Sequence, residues 1–209
     1  MIDPPLIHII DDEPSFRQSL ARLLRANGLN ARLFDSASQF LSCADVGSRG
    51  CVILDVHMPG ECGLELQDAL VARDSMLPVI FLTGRGDIPM TVRAMKAGAA
   101  DFLTKPVDEK DLLAAVAKAL ERNRAAIEQR SRLLDARGRL ATLSEREHEV
   151  MTHVIAGGLN KQIADRLGIS EKTVKVHRGR VMQKMGVASV AELVRACGSV
   201  GVAPADHAT

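Results

Sequence analysis

The chain has 209 residues, 46% hydrophobic and 25% charged, with a formal net charge of +1. That length supports two ordinary globular domains; the composition excludes a disordered polyelectrolyte, and no apolar run approaches the ~18 residues that a bilayer-spanning helix needs. Charge is unevenly placed: residues 1–107 hold 10 Lys/Arg against 13 Asp/Glu, whereas 159–185 hold Lys161, Arg166, Lys172, Lys175, Arg178, Arg180 and Lys184 against Asp165 and Glu171, which predicts an acidic site at one end and a polyanion-binding surface at the other.

Strand and helix patterns alternate through the first half, the mark of a doubly wound parallel sheet. Leu6–Ile10 is an apolar strand that ends in Asp11-Asp12-Glu13. Phe16, Leu20, Leu23 and Leu24 then recur at helical spacing until Asn27-Gly28. Asn30–Phe34 reads as a short second strand, and Ser36 caps a helix carrying Phe40 and Leu41. Residues 51–54 form a fully apolar run that ends in Asp55, with a Pro59-Gly60 turn soon after. Leu64, Leu66 and Leu70 belong to a third helix. Residues 78–82 are a fourth strand running into Thr83-Gly84. A small-residue helix covers 88–97 and stops at Gly98; Asp101–Thr104 is a fifth strand leading into Lys105-Pro106 and a long helix. Residues 121–139, rich in Arg and Glu with a thin stripe of Ile127, Leu133 and Leu134, continue that helix as a linker, with Gly138 as its expected break.

The second half changes character. Ser144-Glu145-Arg146-Glu147 has the capping-box pattern, and Val150, Val154 and Ile155 follow on one helical face. Asn160–Leu167 is a short helix stopped by Gly168; Ser170 caps a basic helix over Glu171–Met185, and a fourth helix covers 190–200. Two short helices joined by a glycine-containing turn, the second one basic, make a helix-turn-helix pattern. The expected organisation is 1–121, an α/β domain; 122–139, a helical linker; 140–200, a small all-α domain; and 201–209, a disordered tail. Cys43, Cys51, Cys62 and Cys197 form no Cys-x-x-Cys pair, so free thiols in a reducing compartment are expected. The N-terminal segment has no basic stretch, and Asp11 interrupts its apolar run; a signal peptide is not expected, and a cytoplasmic location is.

The chemistry collects at strand ends. A carboxylate inside an apolar strand costs several kcal/mol unless paired, so Asp55 belongs at the strand's C-terminal edge, where open α/β sheets place their ligand crevice. Asp11, Asp12, Thr83 and Lys105 end strands at the same edge. Three close carboxylates repel one another unless a divalent cation sits among them, and oxygen ligands alone suit Mg²⁺. Magnesium, a free aspartate, a threonine and a lysine together suit an acyl phosphate on Asp55.

Asp11-Asp12, Asp55 with Met58-Pro59-Gly60, Thr83-Gly84 and Lys105-Pro106 resemble the receiver domain of two-component response regulators, a flavodoxin-like five-stranded parallel sheet. The resemblance implies Asp55 as phosphoacceptor and Mg²⁺ held by Asp12, Asp55 and the backbone carbonyl of His57, with Asp11 holding a metal-bound water. It also implies that Thr83 and Lys105 contact the phosphoryl group, that Phe102 is a switch aromatic, and that the Lys105–Pro106 peptide is often cis. Residues 143–147, 160–164 and 173–177 resemble the LuxR-type output domain, and the two halves together resemble the NarL/FixJ group. The resemblance implies base contacts near Lys175 and Val176 and phosphate contacts near Thr173 and His177; Lys172, Arg178, Arg180 and Lys184 complete the basic candidate surface. Gly179 departs from members that carry a long basic residue there. The implied partners are a cognate sensor histidine kinase, double-stranded DNA, RNA polymerase and, once phosphorylated, a second copy of the chain.

Two other classes are weighed against this reading. An aspartyl phosphatase needs a second acid two residues after its nucleophile, and that position is His57. A phosphorylation-independent helix-turn-helix regulator, released from interdomain inhibition by another signal, would have a degenerate site, whereas the five positions are intact.

Overall fold

The computed structural model describes residues 4–43, 47–58, 61–84 and 88–205. The expected Pro59-Gly60 turn and residues 206–209 lie outside these. Two compact units emerge, Met1–Glu128 and Gln129–Thr209.

In the first unit, strands β1 (Leu6–Ile10), β2 (Asn30–Phe34), β3 (Gly50–Asp55), β6 (Val79–Thr83) and β7 (Asp101–Thr104) form one parallel sheet in the order β2-β1-β3-β6-β7. Every residue of β3 and of β6 is buried, which is why both read as unbroken apolar runs rather than alternating ones. The helices lie on both faces. One layer of the core joins Ile7, Ile9, Ile53, Ile80 and Leu82 to Leu20 and Leu24 of α1 (Pro14–Ala26) and to Leu112 and Val116 of α5 (Glu109–Leu140). The other joins Ile10, Leu54 and Phe81 to Phe40 of α2 (Ala37–Cys43), Leu66 and Leu70 of α3 (Gly63–Ala72) and Ala94 of α4 (Ile88–Lys96). Each fully buried Leu, Ile or Phe contributes about 1.5–3 kcal/mol relative to exposure. The chain turns back on itself between β1 and β3: β1 leads outward to β2 and β3 leads the other way to β6. Their C-terminal ends therefore flank the crevice of a switch point.

Several details differ from the sequence expectation. A short antiparallel hairpin, β4 (His57–Met58) and β5 (Glu61–Cys62), follows β3. Helix α5 runs 32 residues without a break at Gly138; one exposed glycine costs about 1 kcal/mol in a helix interior, too little to end a long one. Asn123, on the charged stretch of α5, is buried. Its Oδ1 accepts the Gly50 N–H at 3.0 Å, and its Nδ2 donates to the Met76 carbonyl at 2.7 Å, tying the lower edge of the sheet to α5.

The second unit packs α6 (Glu145–Ile155), α7 (Asn160–Leu167), α8 (Glu171–Met185) and α9 (Val190–Ser199) around Val150, Met151, Ile163, Val174, Val181 and Leu193. The capping box is formed: the Glu147 N–H donates to Ser144 Oγ, and the Ser144 N–H donates to Glu147 Oε2 at 2.9 Å. Ser170 Oγ accepts the Thr173 N–H at 3.1 Å and starts α8. The turn between α7 and α8 needs Gly168, whose φ of +64° is left-handed. In the stretch from 201 that was expected to be a disordered tail, Val202 packs on the core, and the Ala205 N–H donates to the Thr152 carbonyl at 3.1 Å. Among the described residues, Cys43, Cys51 and Cys197 are free thiols, and no helix is long and apolar enough to cross a membrane.

Candidate functional site

The crevice at the ends of β1 and β3 gathers the acidic residues. Asp11, Asp12 and Asp55 each offer a carboxylate oxygen, and these oxygens lie within 4.8 Å of one another. Asp11 is 1% exposed and Asp55 7%, while Asp12 is exposed. Lys105, at the end of β7, neutralises the buried pair: its Nζ lies 2.7 Å from Asp11 Oδ2 and 2.7 Å from Asp55 Oδ2. Burial disfavours the Lys105 ammonium, but its hydrogen bonds to Asp11 and Asp55 outweigh that and raise its pKa. Burial likewise pushes the Asp11 carboxyl up, against the lowering effect of Lys105. The all-oxygen donor set, open to solvent on the Asp12 side, fits a hard divalent cation such as Mg²⁺.

Backbone groups hold these side chains in place. The Glu13 N–H donates to Asp11 Oδ1 at 2.9 Å, and the His57 N–H donates to Asp55 Oδ1 at 3.1 Å. His57 itself is exposed. Thr83 is buried opposite Thr104, and its carbonyl accepts the Lys105 N–H at 2.7 Å. The Lys105–Pro106 peptide is cis. Phe102 is half-buried and stacks obliquely on Phe81, with ring centroids 6.1 Å apart. Helix α3 starts against the site at Gly63, where a Cβ would fall 2.7 Å from the Asp55 carbonyl oxygen.

Two family models match. The response regulator receiver domain covers residues 7–117, and the luxR family of bacterial regulatory proteins covers 141–197. The chain belongs to the response regulators of the FixJ type. It is 47% identical over 203 residues to the transcriptional regulatory protein FixJ of Azorhizobium caulinodans, covering 97% of this chain and 96% of the relative. It is 46% identical to the response regulator protein TodT of Pseudomonas putida, covering 91% of this chain and 84% of the relative. The solved structure of response regulator StyR superposes with a TM-score of 0.85 at 44% identity, covering 94% of this chain and 99% of the other.

For this response regulator, the basic surface of α8 is the second candidate site. Lys172, Lys175, Val176 and Arg180 are exposed, Val176 to 47%. Thr173 is half-buried, and its hydroxyl lies 2.8 Å from Ser170 Oγ. His177 is half-buried with an unpartnered Nδ1. Arg178 Nη1 donates to Asn160 Oδ1 at 3.0 Å and ties α8 to α7. Lys184, expected on the DNA-contacting surface, also has partners within the output unit. Its Nζ donates to Glu147 Oε2 at 2.6 Å and to the Thr142 carbonyl at 2.9 Å, so the ammonium supports the output unit itself. Sequence reading also missed Arg139, whose Nη1 donates to the Met185 carbonyl at the end of α8 at 2.9 Å. No local pattern marks either contact, because both join residues more than 30 positions apart.

Proposed function

We propose that Asp55 accepts a phosphoryl group from a sensor histidine kinase and that this controls DNA binding by α8. The observation that carries the reading is the Lys105 ammonium shared between Asp11 and Asp55 at the switch point of the sheet. Asp11, Asp12, Asp55 and the His57 carbonyl would hold Mg²⁺, which supplies charge neutralisation for the phosphoryl oxygens. An Asp55 carboxylate oxygen forms the new O–P bond while the bond from phosphorus to the donor imidazole nitrogen breaks and the nitrogen keeps the electron pair. Lys105 then pairs with a phosphoryl oxygen, Thr83 Oγ1 hydrogen-bonds another, and Phe102 repacks in response.

Dimerisation would follow on the α4–β7 face. Ile88, Val92 and Met95 are 76%, 46% and 45% exposed there, beside Lys96 and Asp101. In the output unit, Lys172, Thr173, Lys175, Val176, His177, Arg178 and Arg180 make the DNA-facing set, with Lys175 and Val176 toward base edges and the others toward phosphates. RNA polymerase is the downstream partner, and the cytoplasm the expected location.

Incubation with acetyl phosphate and Mg²⁺ tests the core of this reading. Phosphoryl incorporation is expected in the native protein and lost in Asp55→Asn and in excess chelator. Equal labelling of Asp55→Asn would overturn it.

A further inference from the structure

Phe16 lies in the first turn of α1, half-buried against the core layer that includes Ile7, Ile9 and Val116. Its ring faces the acidic crevice, with Lys105 Nζ 4.2 Å from the ring centroid. An ammonium has three N–H donors. Asp11 Oδ2 and Asp55 Oδ2 each take one at 2.7 Å, and the ring is the neighbour on a third side. A phenyl face attracts a cation through its quadrupole without binding it in a fixed direction. The placement of α1 is also fixed, because the Arg17 guanidinium donates to the Asp11 carbonyl and the Glu13 N–H donates to the Asp11 carboxylate.

We propose that Phe16 is a positioning residue for phosphoryl transfer at Asp55. Its ring face holds the Lys105 ammonium in the crevice while that ammonium exchanges the Asp55 carboxylate for the incoming phosphoryl oxygens. This rests on Asp55 being the phosphoacceptor. During the transfer Lys105 keeps Asp11 and must give up Asp55. A directional acceptor in place of the ring would hold the ammonium in one orientation and resist that movement. An aliphatic side chain would leave the charge facing a wall that offers it nothing. The aromatic face lets the ammonium move while remaining attracted.

The test is the full-length protein carrying phenylalanine analogues of rising fluorination at position 16, which weaken and finally invert the quadrupole at nearly constant shape. The initial rate of labelling by acetyl phosphate and Mg²⁺ is expected to fall with fluorination, by about five-fold for the pentafluoro ring, the size of a ~1 kcal/mol cation–π contact. Phe16→Leu should lose as much, and Phe16→Trp should retain the native rate. Hydrogen exchange of β1 and α1 amides should stay unchanged across the fluorinated series, as a purely structural role would not produce a rate graded by ring electronics. Independently of activity, the Lys105 ε-methylene protons should resonate upfield through the ring current in the metal-free protein, and Phe16→Leu should abolish that shift. Rates that stay flat with fluorination, or no upfield shift, overturn the assignment of Phe16. Labelling that survives in Asp55→Asn would instead overturn the phosphoacceptor reading beneath it.

Discussion

Replacing Lys184 by alanine separates a structural lysine from a DNA-contacting one. Its partner Glu147 has a side chain only 4% exposed, while that of Lys184 is 37% exposed. Breaking a sealed ion pair from one side costs about 3–5 kcal/mol, and an exposed pair is worth about 0–1 kcal/mol. With one partner sealed and the other open to water, Lys184→Ala is expected to cost about 1–2 kcal/mol, which also covers the lost bond to the Thr142 carbonyl. In the full chain this would speed hydrogen exchange of α6 and α8 amides by about 5–30-fold. The slope of log affinity against log salt should hardly change, whereas loss of a phosphate contact would reduce it by about 0.9. Lys175→Ala supplies the contrast: unchanged exchange, and specific binding weakened more than non-specific binding. Acid tests the same pair. The hydrogen bond from Lys184, with that from the Ser144 backbone, lowers the Glu147 pKa from 4.5 to about 2. Between these values the unfolded chain binds the extra proton, so the stabilisation is full above pH 4.5 and is lost as pH falls through about 2. Unchanged exchange in Lys184→Ala, together with a salt slope reduced by about one, would refute the structural assignment.

Two further substitutions probe the first unit. His8 is buried among Phe34 and Phe40 with both ring nitrogens unpartnered; burial first, and Arg32 second, lower its pKa from 6.5 to about 4. The unfolded chain binds the proton in that interval, so about 3 kcal/mol of stability should disappear as pH falls from 6.5 to about 4. His8→Leu should remove that slope in urea titrations at pH 7 and pH 5, and a slope unchanged in the variant would exclude His8 as its source. Asn123→Ala leaves the Gly50 N–H and the Met76 carbonyl unpaired; a loss of about 2–4 kcal/mol is expected by urea unfolding, and a change under ~0.5 kcal/mol would show that water replaces the amide.

The site was legible because its residues interrupt patterns. Asp11, Asp55, Thr83 and Lys105 each end or directly follow a strand, and a lone polar group at the end of an apolar run needs a chemical reason. The helix-turn-helix was legible for a similar cause, since Ser144, Gly168 and Ser170 punctuate it at helix ends. What stayed hidden depends on distant partners. Phe16 looks like one more core aromatic until Lys105, 89 positions later, comes to lie over it. Asn123 sits in a run of charged residues, and nothing local says that it faces inward. Lys184 shares a charge pattern with Lys172 and Lys175, yet Glu147 claims it. The β4–β5 hairpin has two-residue strands, too short for any periodicity.

The placement of Lys105 also bears on why a charge at Asp55 should be felt on the α4–β7 face. On the β1 side, Asp11 is held from several directions: the Glu13 N–H reaches its carboxylate, and Arg17 reaches its carbonyl. On the other side, Lys105 is the residue after β7, and its N–H is bound to the Thr83 carbonyl at the end of β6. In the proposed reading, a phosphoryl group moves the negative charge outward from the carboxylate, and the Lys105 ammonium must follow. The resulting strain would fall on the β6 and β7 ends, because the β1 end is held by those additional bonds. Those ends carry Thr83 and Thr104, and the half-buried Phe102 on β7 rests on Phe81. The exposed Val92 and Met95 lie on α4, which packs against β7. In that reading, a pocket with more bonds on its β1 wall than on its β6–β7 wall would direct a local charge change toward one face without a dedicated wire between the sites.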